Sequence, residues 1–389
     1  MFYYRYRSGS ELAIKELVYD ELYFASREEC NDPYEGKTFA IFSADKELWK
    51  NLINASLEAH KMEFGQSLKR IEQSLKEKVV EYFLSKSPMP MENILKISRD
   101  EFINIGARSF EQRILPLMLD AIQDYVMWYS PEERYFASFS KTNDNFLLWS
   151  HYANNHKGFC LVYRPIDGKI KQNPSWKRTQ TATFPLPRLT FGVPDAFEIQ
   201  DVEYVATPKS SDGFMCFPAS VAGDNHSPEE IETARTERAK NYFQKHSVWD
   251  YEQEARVVLS SGVQWFAGKK LTLPAHQRLF HIDSTQLVGI ILGSQMPSTQ
   301  RQRIKEIIAE KVERWSIPIT DHRIISNFVL FEETLSETNR EVIIEPKEIY
   351  TGTSVITTKQ PNFDRLYDEW QNGWAIEFKG NSSQRIKIN

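Results

Sequence analysis

The run Trp249-Asp250-Tyr251-Glu252-Gln253-Glu254-Ala255-Arg256-Val257-Val258-Leu259 places charged side chains in a segment whose second half reads as a buried strand. Side chains alternate along a strand, so Glu252, Glu254, Arg256 and Val258 are expected on one face and Gln253, Ala255, Val257 and Leu259 on the other. Two carboxylates and a guanidinium on one face, beside Trp249 and Tyr251, are costly to bury unless they pair with one another or with a ligand. Two readings stay open at this point: a half-exposed strand in which Arg256 bridges the two acids, and a binding or catalytic site.

A second polar and aromatic cluster runs from Asn145 to Tyr163. Phe146, Leu147, Trp149 and Ala153 have helical spacing, Gly158 after Lys157 is a stop signal, and Phe159 to Tyr163 reads as a strand. His151 and His156 are five apart, off the same-face spacing of three or four, which makes them a poor metal pair on one helix. The expected division is one histidine bonded structurally and the other facing a cleft. Glu254, Arg256, Trp149 and His151 are expected to line one shared pocket.

The rest of the chain reads as an α+β protein with a mostly antiparallel central sheet and a large helical insertion. Phe2 to Arg7, Glu11 to Tyr19 and Glu21 to Ser26 read strand, helix, strand. In Asn31-Asp32-Pro33-Tyr34-Glu35 the proline blocks regular structure, and an Asn31 or Asp32 side chain is expected to bond backbone amides in a rigid turn. About 45–128 has helical periodicity, carried by Leu48, Leu52, Ala55 and Ala59 and then Ile71, Leu75, Val79 and Phe83. The Pro- and Thr-rich stretch 173–194 reads as a long loop or hairpin, and Val202 to Val205 as a strand. Glu229 to Lys245 reads as a helix, Thr299 to Trp315 as another, and strands are expected near Leu271, near Phe280, at Leu287 to Leu292 and at Ile324 to Phe331. Short strands at irregular spacing argue against a doubly wound parallel sheet. Residues 1–335 are taken as one domain and 336–389 as an appended extension with an aromatic patch at Tyr367, Trp370 and Trp374.

With 389 residues, 41% hydrophobic and 26% charged, the chain has the composition of a soluble globular protein able to bury a large core. No stretch reaches the roughly 18 apolar residues of a membrane span, and the first residues are not a secretory signal. Cys30, Cys160 and Cys216 are scattered without metal spacing, which fits a reducing cytoplasm. A net charge of -5 gives no general attraction to nucleic acid. There is no internal repeat and no glycine-rich phosphate loop.

Four motifs together resemble a widespread bacterial family catalogued as a domain of unknown function (DUF2971). They are Tyr3-Tyr4-Arg5-Tyr6, Asn31-Asp32-Pro33-Tyr34-Glu35, the Trp149-Ser150-His151-Tyr152 helix with His156-Lys157-Gly158, and the Trp249 to Arg256 run. The family name carries no chemistry. A second resemblance, to the ADP-ribosyltransferase arrangement, rests on an opening strand with a basic residue, a following strand with an aromatic, and a late Glu-x-Glu strand. It implies cleavage of the nicotinamide N-glycosidic bond of NAD, with transfer to an unknown protein or nucleic-acid acceptor and no metal, and it leaves a toxin or defence role open. It further implies Glu254 as the catalytic carboxylate, Glu252 as the acceptor-orienting acid and Arg5 as the cofactor anchor, with Tyr23 or Tyr152 as a stacking group. Tyr6, Trp149 and Arg256 are further cofactor-contacting candidates, and His151 a third catalytic one. Glu254→Gln is expected to keep the fold and remove activity.

Two other readings remain: a non-catalytic ligand-sensing or interaction module, and a metal-dependent hydrolase or nuclease using Asp32, Glu35, His151, His156 and Glu254. Geometry separates the three. A transferase site puts Arg5 and Glu254 across one cleft, a metal site brings His151 to Asp32, and a module scatters them.

Overall fold

A computed structural model describes residues 1–37, 39–61, 71–131, 133–178, 180–183, 190–208, 210–223, 226–260, 265–266, 269–270, 272–316, 322–352, 354–380 and 382–388. Its main sheet contains β1 (Tyr3–Arg7), β2 (Arg134–Ser140), β3 (Phe159–Tyr163), β4 (Gln200–Asp201), β5 (Glu254–Ser260), β6 (Leu287–Leu292), β7 (Phe328–Leu335), β8 (Val342–Thr351) and β9 (Ser354–Thr357). The spatial order is β4-β5-β2-β1-β3-β6-β7-β8-β9. Every neighbouring pair is antiparallel except β6 and β7. A parallel pair needs a crossover, supplied here by a helix at Ser298–Ser316. The expected α+β class with a mostly antiparallel sheet is what forms.

Strand alternation sorts the apolar residues into two cores. On β3, Phe159, Leu161 and Tyr163 enter one, with α1 (Glu11–Tyr19) and Ile304, Ile308 and Val312 of the crossover helix. Cys160 and Val162 enter the other, with Tyr6, Leu148, Trp149 and Trp370. Both faces of β3 and β6 are therefore buried, which explains why both strands are continuous apolar runs.

The insertion forms a third core. Helices α2 (Lys46–Ala59), α3 (Gln73–Lys86) and α4 (Ser109–Trp128) pack Trp49, Leu52, Phe83, Leu115 and Met118 together, joined by Phe214 and Phe217 from far along the chain. Asp45 starts α2 by accepting hydrogen bonds from the amides of Glu47 and Leu48, at 2.9 and 3.0 Å.

Several expected elements take other forms. The helix expected over Glu229 to Lys245 ends earlier, as Pro228–Lys240, and is followed by a 3-10 turn, Asn241–Phe243, and a short strand, Gln244–His246. The strand expected at Ile324 to Phe331 divides: His322–Ser326 pairs with Trp374–Lys379 in a separate sheet, and β7 begins at Phe328. In 173–194, Gln180–Thr183 pairs antiparallel with Thr190–Gly192. Leu271 lies outside the described residues. After 335 the chain is not merely appended: β8 runs along the whole of β7. Its helix Phe363–Gln371 docks Trp370 against Phe2 with ring centroids 4.6 Å apart, and the Trp370 indole donates to the Val288 carbonyl at 2.8 Å.

One gap in this sheet positions the site. β1 pairs with β3 over five residues but meets β2 only at Tyr4 and Ser140. Beyond that contact the two strands part, and the sheet opens between them.

Candidate functional site

The opening between β1 and β2 contains a cavity of about 300 Å³. Arg5 from β1, Ser138 and Ser140 from β2, Tyr23, Glu35, Tyr152, Lys245, Glu252 and Glu254 are among the residues lining it. Its chemistry divides into a basic end and an acidic end.

At the basic end Arg5 is 7% exposed. Its guanidinium donates to the Ser138 carbonyl at 3.1 Å and to the Tyr23 carbonyl at 3.2 Å, and sits 5.7 Å from the Phe139 ring centroid. Its Nε has no hydrogen-bond partner, and among the described residues no carboxylate forms an ion pair with it. Burial, with a smaller contribution from Arg7, lowers its pKa to about 10, so it remains a cation at neutral pH. A buried, charged and incompletely bonded guanidinium on a cavity wall is suited to an anion.

At the acidic end three carboxylates surround two cations. Arg256 holds Glu254 in a two-pronged pair, Nε to Oε1 at 2.8 Å and Nη2 to Oε2 at 2.9 Å, and also pairs with Glu35. Lys245 Nζ lies 2.6 Å from Glu252, 3.1 Å from Glu254 and 3.7 Å from Glu35. The Tyr152 hydroxyl donates to the second Glu252 oxygen at 2.6 Å. Burial opposes ionisation of Glu254, but Arg256 and Lys245 overcome it and bring its pKa down to about 2. Glu35 goes the other way: its pKa is raised, first by burial and then, despite Arg256, by the neighbouring Glu254 charge. Two carboxyl groups on one guanidinium are thus pushed apart in acidity, the pattern by which a site separates a fixed anion from a proton carrier.

The turn that brings Glu252 and Glu254 together differs from the expected strand. Ser247–Glu252 is a 3-10 segment, so Glu252 does not share the β5 face. Gln253 then takes a left-handed conformation, φ 44° and ψ 49°, and β5 starts at Glu254. This reversal, rather than strand alternation, aims both acids at Lys245. It is fixed by Ser140 Oγ donating to the Glu252 carbonyl at 2.7 Å and by the Glu254 amide donating to the Tyr204 hydroxyl at 2.7 Å.

The expected shared pocket of Glu254, Arg256, Trp149 and His151 does not form. Trp149 is fully buried in the core, its indole donating to the Asn143 carbonyl at 2.8 Å. Arg256 is fully buried behind Glu254. His151 is exposed on the helix Phe146–Tyr152, where its Nδ1 lies 3.2 Å from the Tyr251 hydroxyl. None of the three is on the cavity wall, whereas Arg5, Tyr6, Tyr23, Tyr152, Glu252 and Glu254 are. His156 is the structurally bonded histidine: buried, 2.5 Å from Glu333 and 3.3 Å from the Ser150 hydroxyl. Asp32 accepts from the Tyr34 amide at 2.8 Å, as the turn chemistry implies. It stays in its turn, so His151 and Asp32 do not converge.

The residues not anticipated are Lys245, Ser138 and Ser140, together with Glu35 as a partner of Arg256. Lys245 was masked by the helical reading of its segment. The two serines sit among apolar residues of β2, in Arg134–Ser140, and only the parting of β1 from β2 gives them meaning.

Residues 148–257 match the model of a family described as Protein of unknown function (DUF2971). The match takes in Tyr152, Lys245, Glu252, Glu254 and Arg256, while Arg5 and Glu35 precede it. Comparison with curated proteins gives no match, and comparison with solved structures gives none either.

Proposed function

We propose that the cavity between β1 and β2 binds NAD and cleaves its nicotinamide–ribose bond, passing the ADP-ribosyl group to an acceptor. The observation that carries this reading is the placement of Arg5, a buried guanidinium with no acid partner among the described residues, in one cavity with the carboxylates Glu252 and Glu254. Charge complementarity supports it. The acidic end holds three carboxyl groups against two cations, while elsewhere on the wall Arg7 pairs with Glu16 and Glu29 with Arg278, leaving Arg5 with no ion pair among the described residues. NAD supplies the complementary pattern: an anionic pyrophosphate, and a glycosidic centre that gains positive charge as its bond breaks.

Within that reading Arg5 anchors the phosphates, and its unpartnered Nε fits them. Glu254, held ionised by Arg256 and Lys245, stabilises positive charge developing at the ribose. Glu252 orients the acceptor, its own geometry set by Lys245 and Tyr152. Glu35, with its raised pKa, is the group best able to receive or return a proton. At about 300 Å³ the cavity is at the small end of ligand sites, and it accommodates one end of a dinucleotide rather than the whole.

The test is a thermal-shift titration with NAD, followed by measurement of nicotinamide release with protein and nucleic-acid acceptors present. Saturable stabilisation and release, both lost in Arg5→Met, support the reading. No stabilisation by NAD overturns it. A second reading is favoured by the complete pairing of Glu254 with Arg256 and Lys245, which suits a fixed wall as well as a catalyst: a ligand-sensing module. Its signature is NAD binding without nicotinamide release.

A further inference from the structure

A second cavity, of about 360 Å³, shares Lys245 with the first and is bounded by Asp32, Tyr34, Lys37 and Phe39, by Val205 and Pro208, and by Asn241 and Gln244 to His246. Tyr34, Phe39, Val205 and Pro208 give it apolar walls, and Lys37 lies over the Tyr34 ring at 4.8 Å. Two carboxamides lie in those walls, beside the ionisable Asp32, Lys37, Lys245 and His246. Asn241 is only 7% exposed, and its side chain makes no hydrogen bond among the described residues. Gln244 donates from Nε2 to Glu203 at 2.8 Å. Because a carboxylate only accepts, this contact fixes which way the amide points and leaves Gln244 Oε1 as an acceptor, and that oxygen is buried without a partner. Buried amide groups are normally paired, and a slot with the unpaired Asn241 carboxamide on its wall is built for a flat ligand with its own hydrogen-bonding edge.

We propose that this cavity takes an adenine ring. Adenine presents an N–H donor beside a ring-nitrogen acceptor, the edge a carboxamide such as Asn241 pairs with through two bonds. Its faces suit the apolar walls and the Tyr34 ring. The base has two possible sources, the adenosine half of the dinucleotide that the first cavity leaves outside or a separate adenine nucleotide. The proposal stands apart from bond cleavage, since a base can dock here whether or not the first cavity turns NAD over.

The test measures binding of adenosine, inosine, AMP and NAD by calorimetry to the full chain and to its Asn241→Leu and Asn241→Asp variants. Adenosine should bind saturably and inosine, which lacks the amino group, much more weakly. Either substitution should weaken adenosine on the order of tenfold or more. Should Asn241→Leu fail to fold, Asn241→Asp, equal in size but lacking the amide protons, gives the same reading. A parallel loss of NAD affinity assigns the base to the dinucleotide, and retained NAD affinity with lost AMP affinity assigns it to a separate nucleotide. Absence of adenosine binding by the parent protein, or binding indifferent to both substitutions, overturns the proposal. Adenosine binding without nicotinamide release would refute the cleavage reading and leave this one intact.

Discussion

Glu254→Gln now carries a different expectation from the one its sequence context suggests. The side chain is at the centre of a buried ion-pair network, bonded twice to Arg256 and once to Lys245. Its pKa falls from an ordinary 4.5 to about 2. At about 1.4 kcal/mol per pH unit, that corresponds to about 3 kcal/mol by which the fold favours the ionised carboxylate. Breaking one partner out of a buried pair costs about 3 to 5 kcal/mol, which agrees in size. The amide keeps the volume and one acceptor but removes the charge opposing Arg256 and Lys245. The variant should therefore be folded at 25 °C but less stable by about 3 kcal/mol, and nicotinamide release should fall by a factor on the order of a hundred or more. Urea denaturation measures the first quantity and turnover at 25 °C the second. Unchanged stability would refute the network as described. Undiminished turnover by the folded variant would refute the role assigned to the carboxylate.

Acid should expose the same network. Glu254 has a depressed folded-state pKa, so its stabilisation is present above about pH 4.5 and is lost as pH falls toward about 2, visible as a declining urea midpoint over that window; a flat midpoint there would contradict it. Arg5→Met should leave stability within about 1 kcal/mol of the parent, because removal of two hydrogen bonds is offset by removal of a buried charge without an acid partner. The same substitution should eliminate the NAD-induced rise in Tm, and a retained rise would place the anion elsewhere. Trp370→Ala should cost about 3 to 5 kcal/mol, since it opens a cavity between Phe2, Phe331 and Tyr367; a loss under 1 kcal/mol by urea denaturation would show that the last strands and helix are dispensable to the main sheet.

Much of the fold could be read where the apolar period was unambiguous. β3 and β6 declared themselves as short apolar runs, and the helix expected over Glu11 to Tyr19 forms as α1, capped by Ser10 with Ala13, Ile14 and Leu17 buried. The end of the 228–246 segment could not be read that way. Its first part, Pro228–Lys240, has a good helix start and no breaker follows it, so nothing local marks the change to a 3-10 turn and a strand. Pairing with Glu203–Val205 decides it, a contact between residues about forty apart. The residues beyond about 335 likewise read as an appended tail with one aromatic patch, and their place in the main sheet comes from pairing with β7.

The site follows the same division, with a consequence for how its residues depend on one another. Charge in a buried strand marked Glu254 and Arg256, yet the acids that share their cations come from a turn near residue 35 and from a 3-10 segment, and only tertiary packing joins them. The cost of burying polar groups without a common purpose points Trp149 and His151 to the same pocket as these acids, but the helix they sit on separates them. On a helix, neighbours point different ways, so one faces the core, one the solvent and Tyr152 the cavity. Lys245 is the residue that ties the three acids to one another, and it also lies on the wall between the two cavities. Any ligand group that draws Lys245 toward the second cavity would weaken its hold on Glu252 and Glu254, so occupancy of one cavity and the charge balance of the other are physically linked through a single ammonium group.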